Sequence, residues 1–373
     1  MKKNLLSLLA VIFLVGCAAT EKKAIETIFY PMPPEQPRLQ FLVSITSEED
    51  IGEKPGAFKE FLLGKTPSMK RIARPHDINA SEGKIYISDR TYKKILIIDL
   101  IKNEFDYIRA EKEGALDEPS GIWVTEDGYK YVADMERKQI VVFDNNNKFL
   151  KAYGESGQFG KPFDVAVYKN KIYVADFDKN QIVVLDKDSG KTIGEIGGLG
   201  TKEGYLHKPT HVVVDKEGNI YVNDFFNFRM QKFNPEGKYL KSFGYQGDTL
   251  GGFARPKGLD IDKEGHLYVA DTAFENVQIF DDETTDLLLF FGGYGPAPGS
   301  MYLPNAVYID YKNVGYFKKY ADKDFSIRYL IYIGNMLGDN KINVYGFGDW
   351  VGAPLPVMEK KKTEEKDGKK TAK

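Results

Sequence analysis

Apolar residues fall in short runs along this chain, and the runs recur in the same order six times. Each round opens on a proline and a hydrophobic stretch: R-P-H-D-I at Pro75, E-P-S-G-I at Pro119, K-P-F-D-V at Pro162, K-P-T-H-V at Pro209, R-P-K-G-L at Pro256 and L-P-N-A-V at Pro304. A second run ends in an acid or amide, as in I-Y-I-S-D at Asp89, I-Y-V-A-D at Asp176 and I-Y-I-G-N at Asn335. A third follows about ten residues later, as in I-V-V-F-D at Asp144 and V-Q-I-F-D at Asp281. Prolines are spaced by 44, 43, 47, 47 and 48 residues. A period in the forties with several strands per round predicts a β-propeller.

The runs lack the strict alternation of a sheet with one wet face. Both faces are therefore expected to be covered, as when blades pack on each side. A small residue (Ser88, Ala133, Ala175, Ala270, Gly334) stands where blades approach closely. Acid–glycine pairs such as Glu82-Gly83 and Asp127-Gly128 mark a hairpin between strands one and two. Five rounds carry a fourth strand, as in K-Y-L-K-S-F-G at Lys238, and the last has none. The missing strand is read at the other end, as R-L-Q-F-L-V-S-I from Arg38 to Ile45. The predicted fold is all-β: a six-bladed β-propeller closed by an N-terminal strand, which removes a free edge.

These phrases resemble the NHL repeat over roughly Arg38 to Phe347. The resemblance implies a six-bladed propeller used mostly for binding. Related six-bladed propellers include peptide-amidating lyases and metal-dependent lactonases, so the resemblance points to the fold more sharply than to the function.

The ends add a location. A basic Met1-Lys2-Lys3, an apolar Leu5 to Val15 and L-V-G-C at Leu14 to Cys17 resemble a lipoprotein signal with its lipobox. The apolar run is too short to span a bilayer as a helix. Residues 1–16 are thus expected to be a signal peptide, with Cys17 lipidated and 17–37 a Pro-rich tether. As the sole cysteine, Cys17 leaves no thiol for a disulfide, a thiolate metal site or a nucleophile. Ala18 after it leans the expected address towards the outer membrane of a bacterial envelope, facing periplasm or cell surface. The propeller is assigned to 38–357, and 358–373 to a charged, disordered tail. Gly56 to Gly64 predicts a short helix. The last round carries an insertion at about 311–328, where Tyr316, Phe317 and Tyr320 have helical spacing.

A net charge of −2 and an exported address argue against a nucleic-acid ligand. No G-x-S-x-G, H-E-x-x-H, P-loop or CxxC occurs. At equivalent positions near the channel the six rounds place Asp77, Gly121, Asp164, His211, Gly258 and Ala306. Asp77, Asp164 and His211 are the candidate metal ligands, for Ca²⁺ or Zn²⁺, should the protein be a lyase- or lactonase-like enzyme. No resident cofactor is otherwise expected. The strand-ending aspartates recur in nearly every round, so they are read as architecture that accepts backbone N–H bonds. Loops after them, with Arg74, Arg90, Lys161, Lys208, Arg229 and Arg255, predict a partly basic face. Phe225, Phe226 and Arg229 in the fourth round, with His211, are the expected ligand patch. The expected role is a non-catalytic binding or scaffold module whose partner is an envelope protein or an anionic polysaccharide.

Overall fold

The computed structural model describes residues 27–51 and 70–353. The signal and lipidation readings at 1–16 and Cys17, the Gly56 to Gly64 helix and the 358–373 tail lie outside the described residues. What is described is nearly all β, in six sheets that form the blades. Five are consecutive four-stranded meanders, with first strands Pro75–Ser81, Pro119–Val124, Pro162–Tyr168, Pro209–Val214 and Pro256–Ile261. The sixth is built from both ends of the chain. Pro304–Asp310, Phe325–Asn335 and Ile342–Trp350 form its inner three strands, and Leu39–Ile45 pairs antiparallel on the third from Leu39↔Phe347 to Ile45↔Ile342. The first strands contact one another in sequence, and the last of them contacts the first, so the ring is closed.

Apolar runs form the blade interfaces because each sheet is covered on both faces. Ile85, Ile87, Val132, Val174, Val222 and Val269 are at most 1% exposed. Of the small residues at the close approaches, Ser88, Ala133, Ala175 and Ala270 are fully buried. The fourth blade has Asn223 there instead, also fully buried. Its amide donates to Thr210 Oγ1 and to the Pro256 and Lys257 carbonyls of the next blade at 2.8–2.9 Å.

The strand-ending aspartates act as two-sided clips. Asp176 accepts from the Gly160 and Lys161 N–H groups before its blade's proline and from Asp178 and Lys179 N–H in the following turn, at 2.7–3.2 Å. Asp89 and Asp271 repeat the pattern. One carboxylate thus fixes both loops at the blade's inner corner and satisfies four N–H groups that have no strand partner.

The sheet of the sixth blade is longer than the sequence phrase suggests. Phe29–Tyr30 pairs with Leu39–Gln40 as a fifth, outer strand, within the stretch read as a tether. Phe29 packs on Trp350 at 5.5 Å and Phe325 at 5.9 Å. The insertion holds one helical turn, Val314–Phe317, and a 3-10 turn, Lys318–Tyr320, and then joins the lengthened second strand. Phe317 is 2% exposed and packs on Tyr332 at 6.0 Å, while Tyr316 faces solvent.

Candidate functional site

Each first strand is irregular just after its proline, where the register to the second strand shifts. This irregularity lets two successive side chains approach the channel. The sequence column, two residues past each proline, is therefore only part of what lines it. Asp77, Asp164 and His211 do come together on one cavity, of about 480 Å³. Asp260, outside that column because it lies two residues further along its strand, joins them.

Asp77, Asp164 and Asp260 come from blades one, three and five, and each reaches the inner strand of the next blade. Asp77 Oδ2 accepts from Ile122 N–H at 2.8 Å, Asp164 Oδ2 from Val212 N–H at 2.9 Å and Asp260 Oδ2 from Ile309 N–H at 2.8 Å. Their other oxygens bond locally: Asp77 Oδ1 takes Ile78 N–H and Asp260 Oδ1 takes Ile261 N–H, each at 2.8 Å. Gly121 makes room for this arrangement, since a Cβ there would collide with the Asp164 carboxylate. The carboxylates clip blade pairs together but sit in a desolvated channel. Burial pushes Asp77 and Asp260 up to about 7, against the N–H bonds that pull them down. Asp164 is raised well above the usual range by burial and then by Asp77.

That elevation carries a sign. Between the unfolded pKa, near 3.9, and about 7 the folded state holds a proton that the unfolded state has lost, so stability falls as pH rises. Measured relative to Asp260→Asn, wild type is expected to lose about 2 kcal/mol of unfolding free energy between pH 5.5 and 8. Urea melts at both pH values check this; a difference independent of pH contradicts it.

On the proline side, the residues directly after the prolines of blades one, three and five are His76, Phe163 and Lys257. The Phe163 ring lies 5.0 Å from His76 and 6.2 Å from His211 and stacks on Phe177 at 5.7 Å. Both histidines are 4% exposed with an unpartnered Nδ1. Burial, then neighbouring cations, hold them neutral: His76 well below its usual range and His211 at about 3. Burial, then Arg255, Arg90 and Arg74, lower Lys257 to about 8. Arg90 is lowered by burial and then by Arg74. Arg90 pairs with Glu118, while Arg74 and Arg255 are exposed. Main-chain positions here are fixed from neighbouring blades: the Asn305 amide donates to the Pro75 and His76 carbonyls at 3.2 and 2.9 Å.

The expected patch of Phe225, Phe226, Arg229 and His211 is divided among different tasks. Arg229 holds its own blade: Nε bonds Asp224 Oδ2 at 2.9 Å and Nη2 donates to the Lys202 and Tyr205 carbonyls. His211 lies against Phe163 in the channel. Phe226 remains outward, 46% exposed, against His207 at 5.1 Å and Phe225 at 4.9 Å. Sequence reasoning passed over Lys257 and Phe163, which follow their prolines directly. Their signal was available in the alternation of large side chains (His76, Phe163, Lys257) with small or amide ones (Ser120, Thr210, Asn305) around the ring. Among the described residues no group of three or more His, Cys, Asp or Glu side chains is placed to hold a metal ion. Asp77, Asp164 and His211 share a cavity without forming a coordination shell.

No known protein-family profile matches the chain. Solved structures do. A protein of unknown function from Bacteroides thetaiotaomicron superposes with a TM-score of 0.56 at 17% identity, over 84% of this chain and 76% of that one. Virginiamycin B lyase from Staphylococcus aureus gives 0.50 at 15% identity, over 74% and 86%. A catalytically inactive form of that lyase with quinupristin gives 0.51 at 15%, over 74% and 96%. At these identities the likeness concerns the fold: the chain is a six-bladed β-propeller similar to the virginiamycin B lyases.

Proposed function

We propose that this protein is a binding module, NHL-like in its repeats and held at a bacterial envelope by lipid on Cys17, which takes an anionic ligand at the proline-side mouth of its channel. The observation that carries this reading is the cluster of Arg74, Arg90, Arg255 and Lys257 around two neutral, buried imidazoles. After burial, Arg255, Arg90 and Arg74 lower Lys257, and Arg74 lowers Arg90, so an arriving anion relieves repulsion as well as making new bonds. Phe163 and Phe177 offer apolar surface beside the imidazoles and Lys208. An anionic polysaccharide or an acidic protein segment suits such a surface.

The proposal is tested with polygalacturonate as the probe. The triple substitution Arg74→Ala, Arg255→Ala and Lys257→Met is expected to weaken binding at least tenfold and flatten its salt dependence. Equal affinity in the folded variant rejects the mouth as the site. Attachment has its own test: Cys17→Ala is expected to move the protein from the membrane to the soluble fraction, and unchanged fractionation contradicts lipidation.

A second reading, a propeller enzyme, is favoured by one observation. Lys257, lowered to about 8 beside the neutral His76 and His211, is a group able to accept and return a proton near neutral pH. The same mouth would then process its anion, and the binding test extended to ligand recovery separates the two.

A further inference from the structure

The 480 Å³ cavity runs from the three channel aspartates to the hairpin turns of blades four and five, on the face opposite the cationic mouth. Its volume lies within the range of small-molecule sites. Its walls carry eight acidic side chains against three lysines, and of the eight Asp262 also pairs with His266 and Glu264 with Arg328. Those lysines are occupied: Lys232 bonds Asp282 Oδ2 at 2.6 Å, Lys216 lies 3.6 Å from Glu217, and Lys263 sits 4.1 Å above the Tyr311 ring. Two buried polar atoms on the lining lack a hydrogen-bond partner. One is Asp282 Oδ1; the other is Nδ1 of His211, a neutral ring that is 4% exposed. Trp123, Tyr221, Tyr308 and Tyr311 add aromatic faces. The missing complement is a positively charged group rich in N–H donors. The carboxylates are spread along the walls and do not converge as a coordination shell, which suits amines spaced along a chain better than one metal ion.

We propose that this cavity binds an alkylammonium ligand, its innermost ammonium held by Asp77, Asp164 and Asp260. The groups facing that trio are one another, Asp262, His211 and Tyr308. At neutral pH Asp77 and Asp260, raised to about 7, are partly protonated, so an entering ammonium displaces protons. This site opens on the face opposite the cationic mouth and shares only His211 with it.

The test is calorimetry of the full chain with spermidine, and separately with N-acetyl-lysine methylamide, at pH 8 and pH 5.5. A free polyamine is the ligand type if spermidine binds more tightly; a lysine side chain of a partner is, if the lysine derivative does. In either case, affinity is expected to fall at least tenfold at pH 5.5, with proton release on binding near pH 7. Asp164→Asn and Asp260→Asn are expected to weaken binding tenfold or more at pH 8. The wild-type pH dependence needs no variant, so a misfolded variant leaves the test intact. Absence of heat at millimolar probe, affinity unchanged between the two pH values, or complete competition by Ca²⁺ at equimolar concentration overturns the proposal.

Discussion

A chain that begins at Ser47 is expected to melt far below one that begins at Ala18, or not to fold cooperatively at all. The deleted stretch includes the closing strand, whose Leu39, Phe41, Leu42 and Ile45 are at most 8% exposed. Each such side chain contributes roughly 1.5–3 kcal/mol through burial. Together they approach the whole of a domain's net stability, about 5–15 kcal/mol. The deletion also opens the third strand of blade six, Ile342–Trp350, as an edge able to pair with another molecule. Coincident thermal melts of the two chains would contradict the closure. Loss of stability accompanied by aggregation is the expected picture.

Asp176→Ala is expected to cost about 3–5 kcal/mol, although Asp176 touches no ligand surface of the account. Its carboxylate alone satisfies the N–H groups of Gly160, Lys161, Asp178 and Lys179. Alanine leaves these four donors to water or to nothing, each at about 1–3 kcal/mol where buried. Asp176→Asn, which keeps one acceptor oxygen, is expected to lose less. Urea titration of the three proteins ranks them; an alanine variant within 1 kcal/mol of wild type, a cut-off of about one hydrogen bond, would show that the clip is redundant.

Most of the architecture was legible because repetition makes it so. The Pro-to-Pro period, the doubly apolar runs and the missing fourth strand together imply six blades and the closing strand. The recurring aspartates announced their role by recurring. The ends of the sixth blade were less legible. Phe29–Tyr30 reads as the start of a proline-rich segment, and its pairing depends on Trp350 and Phe325, distant residues that a local pattern does not connect. Asp260 and Lys257 were missed for a different reason. The irregular register after each proline changes which side chains meet the channel, so a column drawn at one fixed offset finds Asp77 and Asp164 but finds Gly258 in blade five. Arg229 misled because an arginine in an aromatic loop fits a ligand contact as well as it fits an internal clamp. Only its bonds to Asp224 and two carbonyls distinguish the two.

The central claim is that the cationic mouth holds an anion without transforming it. Equilibrium dialysis of labelled polygalacturonate against the full chain, followed by chromatographic sizing of the recovered probe, tests both halves together. Saturable, salt-sensitive binding that the Arg74, Arg255 and Lys257 substitutions weaken at least tenfold is expected, with the probe recovered at its original length. Probe recovered in shortened form, or bound equally by the substituted protein, would contradict it.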